Sequence, residues 1–277
     1  MKTSFWLIAF ISAIFFIAGC SGPQLQVQDI AASENPTEIA ENLENSIAHA
    51  RQEKVNILSP TWFSKAQTSL EEANKLIANK SEIAQINNHL AQGFAQLKKA
   101  EEMSSLARMA IPDAIKKREH ALKAGATAFE KDYAALEDDF ISLTRAIENN
   151  NISYAQNNQK AVADRFRAIE IRAIKENTIG DVRNILNQAE KDNAERLAPK
   201  QLSEVRQQLQ QVEDFIEANP YATEKMQEMA ATALFDAKRL LQLTRQSAEF
   251  QKMSPIDITL WTEDLIASIA RNLDAPD

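Results

Sequence analysis

Apolar residues recur at helical spacing along almost the whole chain, and this periodicity limits the fold more than any other feature. Beyond about residue 37 the period-two alternation of half-buried strands is absent, and Ala, Leu, Glu, Gln and Lys, the good helix formers, predominate. The sequence holds only 5 glycines, so a sheet-rich fold with many tight turns is not expected. The pattern predicts an all-α protein.

Most prolines stand where predicted helices begin. Proline suits the first helical turn because its missing N–H is not needed there. The prolines that mark helix starts in this way are Pro60, Pro112, Pro199, Pro220 and Pro255. Long helices are therefore expected between these points, including continuous helices over 113–149 and 152–176.

The segment 113–149 carries a heptad pattern. Apolar residues recur every seven positions, with a second set four positions on, as in the a/d seam of a coiled coil. The polar turn 149–151 then leads into a similar helix, which predicts a long antiparallel hairpin over 113–177 and an elongated molecule. The two sets of seam positions are Ile115, Leu122, Phe129, Leu136 and Leu143, and Ala126, Tyr133, Phe140 and Ile147.

Two segments of the chain match each other in register. The string "LSPTWFSKAQTSLEEANKLI" (58–77) aligns with "LAPKQLSEVRQQLQQVEDFI" (197–216), with Leu58, Pro60, Ser64, Leu70 and Ile77 identical in both. A shared proline with an in-register apolar set predicts an internal duplication of one large unit. We expect a first helical unit at 37–112, the hairpin at 113–177 and a second unit at 178–277.

The N-terminus reads as a signal peptide. One lysine precedes an apolar run that ends at Gly19, and about 14 such residues are fewer than the roughly 20 that cross a bilayer. The run closes with Ile17, Ala18, Gly19 and Cys20, and this "IAGC" resembles the lipobox of bacterial lipoproteins. A small buried core cysteine is the less favoured interpretation.

The lipobox resemblance implies how the chain is processed and where it is located. Cleavage of residues 1–19 leaves Cys20 as the first residue and the site of a covalent lipid, with 20–36 as a flexible linker. Ser21, where Asp would signal retention, implies delivery to the outer membrane with the body in the periplasm. More than one acyl chain gives stable anchoring.

The charge balance is acidic. The formal net charge is −8, and it becomes −9 when Lys2 leaves with residues 1–19. An acidic body does not favour nucleic acid or electrostatic adhesion to anionic lipid. The predicted attachment to the membrane is therefore the lipid tether.

The sequence shows no recognised catalytic pattern. It lacks a glycine-rich phosphate loop, a serine nucleophile elbow and a metal-spaced histidine pair, so neither an enzyme, a metal site nor a cofactor other than the Cys20 lipid is expected. His49, His89 and His120 are interpreted as residues of solvated helix faces. Trp62 and Trp261 are candidate partner contacts, although core packing is the favoured interpretation of each.

A longer resemblance joins these features. Residues 178–199, "TIGDVRNILNQAEKDNAERLAP", and "AATALFDAKRLLQL" (230–243) resemble the helical region that precedes the peptidoglycan-binding domain in outer membrane protein A family lipoproteins. The first copy resembles the domain of unknown function at their N-termini. The chain stops at Asp277, which leaves no room for a peptidoglycan-binding domain, so peptidoglycan binding is not expected.

These features together predict a non-catalytic, lipid-anchored scaffold that engages an envelope protein through helix faces. The alternative is a module that binds a small amphiphile or lipid between the helical units. An apolar cavity would favour the alternative, whereas filled seams and an exposed apolar strip near Trp62 would favour the scaffold.

Overall fold

The chain is helical throughout the part that the computed structural model describes, residues 25–272. Over this range it forms eleven α-helices and no strand, which confirms the all-α prediction. The helices are α1 Pro36–Gln52, α2 Val55–Leu58, α3 Pro60–Ala78, α4 Ile83–Ala110, α5 Pro112–Lys123, α6 Glu130–Glu148, α7 Ile152–Lys191, α8 Ala194–Leu197, α9 Pro199–Ala218, α10 Thr223–Phe250 and α11 Pro255–Asn272. No helix within 25–272 is both long and apolar enough to span a bilayer.

The described chain divides into two compact units. Unit 1 contains the residues up to 109 together with 144–152, and unit 2 contains 110–143 and 153–272. The last turn of α6 thus belongs to a different unit from the rest of that helix. The limits predicted from the sequence, 37–112, 113–177 and 178–277, do not coincide with these units and stay a prediction.

In unit 1 the apolar faces of α1, α3 and α4 form one core. Leu43 of α1, Phe63 of α3 and Leu90 of α4 are all buried in it. Gly93 allows α4 to approach α1 closely, because a Cβ at that position would lie 2.5 Å from Cδ2 of Leu43. A side chain at this position would therefore require Leu43 to move within the core.

The segment 25–35, part of the predicted linker, contains no helix. Ile30 nevertheless packs against the core of unit 1, and the Asn87 side-chain amide donates to the Ala31 carbonyl at 3.2 Å. This part of the linker therefore contacts the helical body. The helical body itself begins at Pro36.

A buried carboxylate caps the N-terminus of α3. The Glu148 Oε1 atom accepts hydrogen bonds from Ser59 Oγ at 2.7 Å and from the backbone N–H groups of Thr61 and Trp62, each at 3.0 Å. Glu148 is only 6% exposed. The first N–H groups of a helix have no partner within the helix and carry partial positive charge, so an anion there is stabilising.

We predict that Glu148→Ala destabilises the protein by about 1–3 kcal/mol, since it leaves buried N–H groups without an acceptor. Urea denaturation followed by circular dichroism measures the free energy of unfolding. Glu44→Ala, on an exposed position of α1, is the control and should cost much less. Equal losses in the two variants would show that the Glu148 cap contributes nothing specific.

The same local backbone course occurs twice along the chain. Lys54 and Asn193, 139 positions apart, both adopt left-handed conformations, with φ of 61° and 65°. A four-residue helix follows each of them, and then a non-helical residue, Ser59 or Ala198, with φ of −143° or −145°. Pro60 and Pro199 then open α3 and α9.

The two following long helices also match. Helices α4 and α10 are each 28 residues long, and Ser104 and Thr244, 140 positions apart, are buried hydroxyl residues in them. The duplication itself stays a prediction. These paired conformations, each internal to its own unit, are the observations that favour it.

In unit 2 two predicted helix limits are wrong. The helix expected over 113–149 is broken: α5 ends at Lys123, Gly125 takes a left-handed φ of 84°, and a 3-10 turn follows at Ala126–Ala128. Glycine adopts this conformation without steric cost, which ends the helix although the heptad spacing continues. Conversely, α7 continues unbroken for 40 residues through Gly180, where a break was expected near 177.

The break shifts the buried face of α5 relative to the heptad prediction. Leu122, a predicted seam residue, is 37% exposed, whereas Arg118 is buried and donates to Glu137 at 2.8 Å. In α6 the predicted positions Tyr133 and Phe140 are buried, and the ring centroids of both lie 6.2 Å from that of Phe166 in α7.

Ion pairs from α6 to α7 indicate the relative direction of these helices within unit 2. Asp132 bonds Arg172, and Asp139 bonds Arg165, so a later residue of α6 meets an earlier residue of α7. This order is that of antiparallel neighbours. The hairpin over the whole of 113–177 stays a prediction, because α5 and α6 are separate helices.

We predict that Phe140→Ala lowers the free energy of unfolding by about 3–5 kcal/mol, as expected for a buried aromatic ring. Leu122→Ala should cost less than about 1 kcal/mol, since that side chain retains solvent contact. Denaturant titration of both variants distinguishes the observed packing from an unbroken heptad seam. Comparable losses at the two positions would favour the seam.

Candidate functional site

Helix α11 is formed by signals local to its own sequence. The Ser254 N–H donates to Asp257 Oδ2 at 3.1 Å, and the Asp257 N–H donates to Ser254 Oγ at 3.3 Å. This reciprocal arrangement is a capping box, and Pro255 occupies the first helical turn. The hydrogen bonds from Ser254 lower the pKa of Asp257. The helix thus has a defined start without tertiary support.

One face of α11 is apolar and exposed. Ile258, Trp261, Leu265 and Ile269 follow each other at three- and four-residue steps, which places them on one side of the helix. Their exposed fractions are 37%, 39%, 43% and 50%, and α11 buries none of its residues. A contiguous apolar strip of this kind marks an interaction surface. We call these four residues the α11 strip.

Trp261 is the aromatic residue of the α11 strip. Its ring makes an edge contact with Phe250 at the end of α10, with centroids 4.9 Å apart. The contact holds one edge of the indole while the residue keeps 39% of its surface exposed. Tryptophan in such a position is suited to a partner contact.

The charges on α11 argue against a lipid surface. They are Asp257, Glu263, Asp264 and Arg271, so the helix is acidic overall. Helices that lie on membranes usually carry Lys and Arg on the polar face, because these attract anionic lipid. The α11 strip is therefore better suited to a protein partner.

Trp62, the other candidate contact, has a different environment. It is partly buried against the core of unit 1, and the Lys65 Nζ atom lies 4.2 Å from the ring centroid. Its backbone N–H is one of the donors to Glu148. These contacts favour the packing interpretation, and Trp62 does not belong to an exposed apolar strip.

The predicted lipidation site and its box, Cys20 with Ile17, Ala18 and Gly19, lie outside the described residues. Of the sequence-predicted site residues, only Trp62 and Trp261 can be placed. Trp62 belongs to unit 1 and Trp261 to unit 2, and each is described within its own unit.

Unit 2 contains a buried polar cluster around Glu170 of α7, which is 1% exposed. Arg167 Nη1 donates to Glu170 Oε2 at 3.0 Å and to the Tyr221 hydroxyl at 3.0 Å. His120 Nδ1 lies 2.7 Å from that hydroxyl and 3.7 Å from Glu170 Oε1. The cluster joins α5, α7 and the loop before α10.

Tyr221 covers this cluster from the loop. Burial raises the pKa of the Tyr221 hydroxyl, and the Glu170 carboxylate raises it further. A pocket of about 310 Å³ opens beside it, lined by His120, Lys123, Ala124, Glu170, Ile174 and Tyr221. Its size is near the lower limit for small-molecule sites.

The His120 side chain is 25% exposed and contacts Tyr221 and Glu170, so the interpretation as a solvated residue holds only in part. Helical spacing does not reveal its partners, because they come from segments 50 and 101 positions further along the chain. No group of three or more His, Cys, Asp or Glu side chains within 25–272 is arranged to hold a metal ion. The cluster already satisfies the Glu170 charge through Arg167, which is typical of a structural polar network.

We predict that Glu170→Gln costs about 1–3 kcal/mol of unfolding free energy, because Arg167 then faces a neutral amide at a buried position. Glu176→Gln, on the same helix, is the control. Glu176 is 60% exposed and lies 3.8 Å from Arg183, so that change should cost less than about 1 kcal/mol. Thermal or chemical denaturation measures the free energy of unfolding of both variants. An unchanged value for Glu170→Gln would show that the ion pair between Arg167 and Glu170 is not stabilising.

Comparisons of the chain with protein-family models, curated proteins and solved structures found no match.

Proposed function

We propose that this chain is a lipid-anchored envelope protein that acts as a non-catalytic scaffold and engages proteins through helix faces. In this proposal Cys20 carries the lipid, the outer membrane holds the anchor and the helical body lies in the periplasm. The resemblance to the helical region of outer membrane protein A family lipoproteins and the predicted duplication belong to the same proposal. Peptidoglycan binding does not.

The observation that carries the scaffold proposal is the α11 strip. A helix that caps itself, buries nothing and exposes an apolar face is suited to insertion into a groove on another protein. Buried side chains form a core cluster in each unit, whereas the α11 strip is an apolar surface that stays in solvent within the described residues.

A second function, the binding of a small amphiphile, is favoured by the pocket beside Tyr221. Ile174 and Ala124 give it an apolar lining, and Lys123 and His120 place polar groups at its wall. Ile174→Trp would fill this pocket without touching the α11 strip. Loss of amphiphile binding in this variant with unchanged protein contacts would assign the two functions to separate sites.

The scaffold proposal predicts two results in a bacterium with an outer membrane. Cys20→Ala should abolish fatty-acid labelling and release the body from the membrane fraction. A photocrosslinking residue at Trp261 or Leu265 should yield protein adducts, whereas one at Glu263, on the opposite side of α11, should not. Immunoblotting and fractionation measure both results.

The two experiments test different parts of the proposal, the lipid anchor and the α11 strip. Unchanged labelling of Cys20→Ala would refute the lipid anchor without bearing on the α11 strip. Adducts formed equally from positions 261 and 263, or from neither, would refute recognition through the α11 strip while leaving the anchor in place.

A further inference from the structure

We propose that the partner of the α11 strip is α11 of a second copy of this chain, packed antiparallel about a two-fold axis near residue 264. This inference deepens the proposed function by naming the partner. The α11 strip is self-complementary. With the two-fold axis near residue 264, Ile258 of one copy faces the region of Ile269 of the other copy. Trp261 and Leu265 meet near the centre.

The charges beside the strip favour this alignment. Asp257, Asp264 and Arg271 are spaced by seven residues, so they line one flank of the strip as the g positions of a heptad do. In an antiparallel pair g positions face g positions, so Asp257 of each copy meets Arg271 of the other. Two ion pairs form by symmetry, against one repulsion between the two Asp264 side chains.

A parallel pair lacks these ion pairs. There the g positions face e positions, which here are Thr262 and Ile269, so none of the flanking charges finds an opposite charge. A zwitterionic membrane or a basic groove on another protein would use the same strip. Neither of these partners explains why Arg271 follows Asp257 by two heptads on the same flank of α11.

The size of the surface predicts a weak pair in solution. One face of an 18-residue helix is smaller than the roughly 800 Å² that each partner buries in a standard interface. Two copies tethered to one membrane have a higher effective concentration, which converts a weak contact into a populated dimer. Only this step depends on the lipid anchor of the proposed function.

Single introduced cysteines test the geometry. In the Cys20→Ser background the chain has no other cysteine, so Asp264→Cys and Arg271→Cys each provide one thiol. A short bismaleimide should join two copies through position 264, near the axis. Position 271 should not react with itself, because about 7 residues on each side of the axis separate the two thiols by roughly 20 Å.

Sedimentation equilibrium at high protein concentration tests the strip itself. Leu265→Asp should weaken self-association at least tenfold, whereas Ile256→Asp should not. Ile256 is 63% exposed on the opposite face of α11 and is therefore a matched control. Arg271→Glu should weaken association by a smaller factor, because it replaces both ion pairs with repulsions.

Each other outcome contradicts the proposal. Crosslinking at both positions indicates a parallel pair. Self-pairing is ruled out if the chain is a monomer at all concentrations, or if Leu265→Asp and Ile256→Asp have equal effects. It is also ruled out if the chain binds phosphatidylethanolamine vesicles and forms no crosslinks. Because the Cys20→Ser chain carries no lipid, failure of the anchor cannot produce these results, and fatty-acid labelling of the unmodified chain tests the anchor by itself.

Discussion

The Glu148 carboxylate makes the polar contact on which the architecture of unit 1 depends. It binds the hydroxyl of Ser59 and the first N–H groups of α3, residues that precede it by 86 to 89 positions. Because Glu148 is buried, loss of the contact leaves both the anion and the N–H groups without partners. The contact thereby fixes 144–152 to a unit formed otherwise from the first part of the chain.

Around this contact, stability comes from close helix packing with small residues. Ala66 and Ala73 of α3 and Ala100 of α4 are fully buried, and Gly93 removes even a methyl group where α4 meets α1. Interiors packed in this way leave little room for a ligand within the cores.

Helix α11 contrasts with the packed helices, since it is held by its own cap and keeps its apolar strip in solvent. Because α11 buries none of its residues, its apolar strip can meet a partner without exposing a buried side chain. In the Glu170 cluster, in contrast, the central carboxylate is buried. Its histidine, arginine and tyrosine hold the loop before α10 in place, and the arginine pairs with the Glu170 carboxylate.

Sequence by itself determined the helical class, the proline starts at Pro60 and Pro199, the burial of Phe140 and the amphipathic character of α11, because these depend on local propensity and periodicity. Only the tertiary structure decided that Gly125 breaks the predicted long helix, that Leu122 is exposed and that His120 meets Glu170. The physical reason is that a left-handed glycine and a buried ion pair depend on contacts between segments that are distant in the sequence. The spacing of residues along one helix contains no information about such contacts.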